Sequence, residues 1–326
     1  MPTAFVTGAT GFLGRHLIDV LLEANWEITA MVRDTNAAAK ILDERVSLVY
    51  GDLTKPESLR KAMPQAVDCV FHTAADTSTW KKEAARQEKI NIGGTAALLA
   101  LMYDKEVGRM VHVSTIAVFG EHHDTITEAT PRRGAESWVT YARTKAYAER
   151  KVKEAVERGI DATIVNPTHI VGRYDGHNWA RLFQMLHDDN LPGVPPGAGN
   201  FANGRAVAEA VLAAYHKGKA GQNYILGGPQ ASFLEFLTIA ADKLNKPAPK
   251  KPMSPFVLKM LASILSVASA ITGKRPMVTP EEANFSSEVL DASCDKAVAE
   301  LGYRVVPLEQ SIDESITFMR EEGLIS

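Results

Sequence analysis

Cysteine is nearly missing from this chain: two occur in 326 residues, Cys69 inside an apolar run and Cys294 near the C-terminus. That is too few for a disulfide framework or a thiolate metal cluster, so no metal is expected and a reducing compartment fits. A surplus of one charge is missing too, since 36 Lys and Arg stand against 39 Asp and Glu, a formal net charge of -3. A nucleic-acid binder needs a basic excess on one face, which excludes nucleic acid as an expected partner. The first apolar strand is entered by Ala4 and a glycine loop is reached at Gly8, leaving no room for a charged leader and signal core. A cytoplasmic protein is the expectation. No uninterrupted apolar run reaches the roughly 20 residues of a membrane span. The nearest is Pro255–Thr272, interrupted by Lys259 and followed by Lys274 and Arg275. It reads first as a helix over an apolar substrate cleft or subunit contact, and second as a shallow attachment to a membrane surface.

What is present is a globular composition, 45% hydrophobic and 23% charged, long enough for one large domain with or without a smaller lobe. Short Val- and Ile-rich runs alternate with amphipathic stretches. Strands are expected over 4–7, 27–32, 46–50, 67–72, 109–114 and 161–166, and helices over 12–24, 36–43, 82–103 and 137–158. Strands each followed by a helix mean a parallel sheet covered on both faces, an α/β doubly wound fold. After Pro167 the rhythm changes. A Pro/Gly-rich loop over 191–200 precedes a helix over 205–217 and a strand over 222–226, which is expected to rejoin the sheet. Helices over 232–245, 255–272, 294–301 and 308–322 then form a smaller, mainly helical C-terminal substrate lobe over the carboxyl ends of the strands. The expected division is 1–170 with 205–228 for the nucleotide domain, and 171–204 with 229–326 for the lobe.

Gly8, Gly11 and Gly14, in TGATGFLG, follow the first strand and open the first helix. Thr10, Phe12 and Leu13 complete the turn, whose backbone N–H groups and helix dipole suit a pyrophosphate. About twenty residues on, where an NAD enzyme places an acid for the ribose hydroxyls, the chain has Arg33 followed by Asp34. Arg33 and Lys40 suit a 2′-phosphate, so NADP is expected over NAD; an Arg–Asp surface pair would leave the cofactor open. Small residues at Thr73, Ala74 and Ala75, after the fourth strand, allow close approach of a nucleotide. Tyr141 and Lys145 lie one helical turn apart on one face. A cation there favours the phenolate of a tyrosine whose ordinary pKa of about 10 suits neither acid nor base work at neutral pH. Tyr141 is thus a candidate general acid/base. Ser114 and Thr115 put hydroxyls at the end of the fifth strand.

In that order these motifs resemble the extended short-chain dehydrogenases/reductases, including the glycine spacing of TGATGFLG. The resemblance covers nearly the whole chain, strongest to Gly172, and is closest to the dihydroflavonol-4-reductase-like and 3β-hydroxysteroid-dehydrogenase-like enzymes. It implies a Rossmann-type fold, with Asp52 and Leu53 at the adenine and Thr115 polarising the substrate oxygen, Ser114 being the fallback. It also implies that Lys145 holds the ribose and that Asn91 is mainly structural. Pro167 and His169 would lie against the nicotinamide, although Asn166 stands where many relatives carry Arg. The implied activity is hydride transfer with a carbonyl or secondary alcohol of a small, largely apolar substrate. Trp80, Phe119, Trp138, Trp179, Phe183 and Phe201 are candidate cleft residues. The alternatives are a nucleotide-sugar epimerase with tightly bound cofactor, for which Arg173, Arg181 and Arg205 are the basic candidates, and a non-catalytic NADP-binding protein. A homodimer through the helices 82–103 and 137–158 is also implied.

Overall fold

The computed structural model describes residues 1–326. Its strands in chain order are β1 (Thr3–Thr7), β2 (Glu27–Val32), β3 (Ser47–Tyr50), β4 (Cys69–His72), β5 (Arg109–Val113), β6 (Ala162–Pro167), β7 (His169–Val171), β8 (Ala198–Asn203), β9 (Asn223–Leu226) and β10 (Gln230–Ser232). Seven of them form one parallel sheet in the order β3-β2-β1-β4-β5-β6-β9. The chain runs outward from β1 to β3 and then returns to β4, so the strand order reverses between β1 and β4, the crevice where such sheets take ligands. Both faces are covered, which is why β4, β6 and β9 are buried along their whole length.

The helices are α1 (Phe12–Glu23), α2 (Thr35–Ala38), α3 (Pro56–Ala62), α4 (Ala84–Glu88), α5 (Thr95–Asp104), α6 (Thr140–Glu157), α7 (Trp179–His187), α8 (Gly204–Lys217), α9 (Phe233–Lys243), α10 (Pro255–Thr272), α11 (Pro280–Phe285), α12 (Asp295–Leu301) and α13 (Leu308–Glu321). On one face of the sheet α1 and α8 bury Leu17, Leu21, Val207 and Val211 against Val6 and Val111. On the other, α5 and α6 bury Leu98, Met102 and Val152 against Val70 and Ile164. Each of these large side chains contributes about 1.5–3 kcal/mol of burial, so the two layers fix the strand ends that carry the site.

The structure departs from the sequence expectation in several places. The helix expected over 82–103 is interrupted: a 3₁₀ turn at Lys81–Glu83 leads into α4, a π-helical turn occupies Lys89–Gly94, and α5 follows. Such π turns recur at functional sites, and this one carries Asn91. The helix expected over 36–43 is only α2, four residues long, and the one expected over 137–158 begins at Thr140. A second sheet, β10-β8-β7, was not expected. Its central strand reads AGNFAN, without apolar alternation, and its polar side chains are satisfied in place. Asn200 donates to the Gly228 carbonyl and accepts from the Ala292 amide, while Asn203 caps α8 through the Ala206 amide. The helix α10 is also corrected: at 18 residues and mean hydropathy 1.7 it is long and apolar enough to cross a membrane by length and composition, where the sequence reading placed it short of that.

Candidate active site

The carboxyl ends of β1, β4, β5 and β6 open into a cleft of about 1250 Å³, roofed by α7, α10, α11 and the loop before β8. Gly8, Gly11, Phe12, Leu13 and Gly14 line one end. Gly8 has φ +80°, and a Cβ there would come within 2.6 Å of the Ala74 nitrogen and the Thr73 hydroxyl. A Cβ on Gly14 would run into the Gly8 carbonyl oxygen. The first turn of α1 has no side chain capping it, so its N–H groups are available to an anionic group. Thr73 is fixed by donating to the Thr7 carbonyl at 2.8 Å.

Thr73, Ala75, Thr115, Tyr141, Lys145, Pro167 and His169 line the same cleft; Thr10, Arg33, Lys40, Asp52, Leu53 and Ala74 do not. Arg33 and Lys40 are exposed on either side of α2. Asp34 is turned away to cap that helix, accepting from the Ala37 amide at 3.0 Å. Partial burial works to raise the pKa of Asp52 and is outweighed by the Thr54 amide and hydroxyl, with Lys55 and Arg33 adding to them, so its carboxyl sits low. Leu53 is a core residue packed on Gly94. Asn91 is a brace: it accepts from the Asp76 amide and donates to the Asp76 carbonyl and the Thr144 hydroxyl.

Tyr141 and Lys145 project from the first turns of α6. The expectation that the lysine brings the phenol down is corrected by what each side chain meets. Burial pushes the Tyr141 phenol up, and the opposing influence is a hydrogen bond from the Thr115 hydroxyl. Lys145 turns its ammonium to the Val113 carbonyl at 2.8 Å. Burial brings its own pKa down to about 8, with the charge of Glu149 working to hold it up. Ser114, the fallback hydroxyl, donates to Glu149 at 2.7 Å, whereas Thr115 accepts from the Ala117 amide at 3.3 Å and faces the phenol.

Glu149 is a functional neighbour that sequence reading missed. Its carboxylate, with 2% side-chain exposure, accepts from Ser114, from Arg132 at 2.9 Å, and from Asn166 and Asn223 at 3.0 Å each. Asn166 also donates to the Thr115 carbonyl at 3.1 Å. Arg132, from the loop before α6, thus brings a cation to the cluster that Asn166 cannot supply. The signal was in the sequence: Glu149 stands one turn beyond Lys145 on the buried face of α6, whose other residues are the small or apolar Ala142, Ala148, Val152 and Ala155 and the threonines Thr140 and Thr144. A second missed carboxylate, Glu281 on α11, accepts from the Thr140 amide at 3.0 Å and so caps the helix immediately before Tyr141.

Of the aromatic cleft candidates only Trp179 lines the cavity. Phe119, Phe183 and Phe201 are fully buried core, Trp138 is 55% exposed, and Trp80 lies off the cavity. The apolar wall comes instead from Phe12, Leu182, Met185, Leu191, Phe233, Leu258 and Leu261. His169 packs against Trp179, Phe201 and Phe233, and burial holds its pKa down to about 4, so it is neutral near pH 7. Glu121, Asn284 and Glu288 lie together on the far wall; burial, then Glu121, raises the Glu288 carboxyl to about 7. Arg205 pairs with Glu23 and Glu209, and Arg173 with Glu321, all outside the cleft. Arg181 is in the cleft and donates to the Met277 carbonyl.

The family model described as NAD dependent epimerase/dehydratase family matches residues 4–227. Sterol demethylase protein B of Methylococcus capsulatus is 28% identical over 340 residues, covering 99% of this chain and 100% of that protein. A relative from Synechocystis sp. that bears the dihydroflavonol 4-reductase name is 27% identical over 339 residues, covering 98% and 95%. Among solved structures, the crystal structure of gox2253 superposes with a TM-score of 0.85 at 27% identity over the whole of both chains.

Proposed function

The chain belongs to the NAD dependent epimerase/dehydratase family of extended short-chain dehydrogenases/reductases, and on that premise we propose that it is an NADP-dependent reductase of a small, largely apolar carbonyl compound. The observation that carries this reading is the meeting of the Tyr141 phenol and the Thr115 hydroxyl, with Lys145 lining the same wall, in a cleft whose other end is the glycine turn.

The residues present fit a dinucleotide. The uncapped first turn of α1 would hold the pyrophosphate, with Gly8 and Gly14 letting the turn pack closely on Ala74 and on itself and Gly11 leaving its backbone open to approach. Arg33 and Lys40 would hold a 2′-phosphate, with Asp34 withdrawn into its cap. Asp52 would accept from the adenine amine, Lys145 would bind the ribose, and Pro167 and His169 would flank the nicotinamide. The bound nucleotide supplies or takes up the hydride. In reduction, Thr115 Oγ1 donates a hydrogen bond to the substrate oxygen and Tyr141 Oη gives that oxygen its proton. Burial works against the phenolate left behind, and the hydrogen bond from Thr115 offsets part of that, since the Lys145 ammonium is turned to the Val113 carbonyl. In oxidation the same groups act in reverse. The apolar wall of Leu182, Met185, Leu258 and Leu261 suits a carbonyl compound with an aliphatic or ring body.

A nucleotide-sugar epimerase needs cations for a second pyrophosphate. Arg173 and Arg205 are engaged outside the cleft and the cleft's Arg86 and Arg275 pair with Asp76 and Glu282, which leaves Arg181, donating to the Met277 carbonyl, as the one cleft guanidinium in no ion pair. The test is a panel of ketones and aldehydes assayed for NADPH consumption, with NADH as the comparison. Turnover of an apolar ketone with NADPH, at least about tenfold better in kcat/KM than with NADH, is expected. A strong NADH preference would sink the roles given to Arg33 and Lys40, and no consumption of either would sink the reductase reading.

A further inference from the structure

Helix α10 carries two apolar faces. Leu258, Ala262 and Ser269 are turned inward and buried, and Leu258 and Leu261 belong to the cleft wall. On the opposite side Phe256, Met260, Ile264, Val267 and Ile271 follow one another at intervals of three and four residues, a single stripe along the helix. These five are between 48% and 84% exposed. A contiguous apolar stripe left in water on a soluble chain marks a surface with a partner.

The charge around it states which partner. From Lys243 to Pro280 the chain has no Asp or Glu and seven cations, although the whole chain is at -3. Lys243, Lys246 and Arg275 are held by Asp313, Asp189 and Glu282. Lys250 and Lys251 before the helix, Lys259 on its flank and Lys274 just after it are exposed and in no ion pair. An apolar stripe bracketed by unpaired lysines is complementary to an anionic lipid surface. A second copy packed symmetrically on the same face would set these lysines against their own equivalents. A span is disfavoured by the inner face, where Lys82 donates to the Ser269 carbonyl and Leu258 and Ala262 pack on Ala283.

We propose that α10 docks this protein on an anionic bilayer, lying in the plane of the interface with Phe256, Met260, Ile264, Val267 and Ile271 at the acyl boundary and Lys250, Lys251, Lys259 and Lys274 among the headgroups. At 18 residues the helix lays down about 27 Å of contact. Because Leu258 and Leu261 of the same helix line the cleft, docking sets the wall of the cleft against the lipid. The docking itself does not rest on the hydride-transfer reading, since it is measured without turnover.

The experiment is sedimentation of the full chain with vesicles of phosphatidylcholine alone and of phosphatidylcholine with one third phosphatidylglycerol. Binding to the anionic vesicles is expected, weakened about fivefold for each lysine removed in Lys250→Gln and Lys251→Gln. Ile264→Asp with Val267→Asp is expected to weaken it at least about tenfold, with the melting temperature and NADPH binding of the wild type. Phe256→Ser is a milder variant that should act in the same direction. Absence of binding to either vesicle overturns the proposal, as does equal binding by wild type and the aspartate variant. So does a wild-type dimer that the aspartate variant dissociates while vesicles capture neither.

Discussion

Replacing Glu149 by glutamine removes one charge from a carboxylate that four donors share. Ser114 and Asn166 donate to one oxygen, Arg132 and Asn223 to the other. The new amide must turn its NH₂ to one of these pairs. Facing Ser114 is cheaper, because a hydroxyl can rotate to accept. Asn166 then loses one acceptor but keeps the Thr115 carbonyl, and the Arg132 bond persists without its ionic partner. Breaking a buried ion pair costs about 3–5 kcal/mol, and an unsatisfied buried donor about 1–3 kcal/mol. With Arg132 30% exposed at its side chain, water recovers part of the loss, and about 2–4 kcal/mol in urea unfolding is expected. Loss of the Glu149 charge also removes the influence that raises Lys145, so its pKa falls below about 8. The limb of the rate profile that follows Lys145 deprotonation should then move to lower pH, a shift that a merely structural glutamate would not give. A cost under about 1 kcal/mol, with an unmoved profile, would refute the assignment of Glu149 as the residue positioning the Ser114, Thr115 and Lys145 groups.

Gly14→Ala places a methyl group against the Gly8 carbonyl oxygen; fluorescence titration should show NADPH binding lost, and melting should show about 1–3 kcal/mol of destabilisation. Glu288 has a folded pKa of about 7, above its ordinary 4.5, so the folded chain holds a proton that the unfolded chain has released between those values. Its contribution is present at pH 4.5 and lost as pH rises to 7. Urea midpoints should therefore show Glu288→Gln gaining on the wild type at pH 8 relative to pH 5. Lys145 has the opposite sign: its folded pKa of about 8 lies below 10.5, so its contribution rises with pH across that window. Lys145→Met should flatten the wild-type gain between pH 8 and pH 10.

The parts of this molecule that are legible in sequence are the local ones. TGATGFLG, with its place between a Val-rich strand and a helix, and Tyr141 with Lys145 one turn on, carry their geometry in their spacing. So do the parallel strands, whose runs are apolar because both faces are covered. Glu149 is different, since its partners at 114, 132, 166 and 223 meet only after β5, β6 and β9 align. No local pattern joins them. The same holds for β8, where Asn200 and Asn203 depress strand propensity and are accepted because their partners come from distant loops and α13. Apart from Trp179 the aromatic cleft candidates lie elsewhere, because an aromatic residue records burial without its direction: Phe183 and Phe201 face α9, and Leu258 and Leu261 take the cleft. The phenol pKa failed for a related reason, as spacing set Tyr141 and Lys145 on one face but could not show that the ammonium turns to Val113.

Isotope transfer distinguishes direct hydride delivery to a carbonyl carbon, with Tyr141 supplying the proton, from every other fate of the substrate. With NADPH carrying deuterium at both positions of nicotinamide C4 and an apolar ketone, deuterium is expected on the product's carbinol carbon, one per NADPH consumed. Tyr141→Phe should bind NADPH as the wild type does and turn over about 100- to 10,000-fold more slowly. Product formed without deuterium and without net NADPH loss, or full activity in Tyr141→Phe, would contradict it.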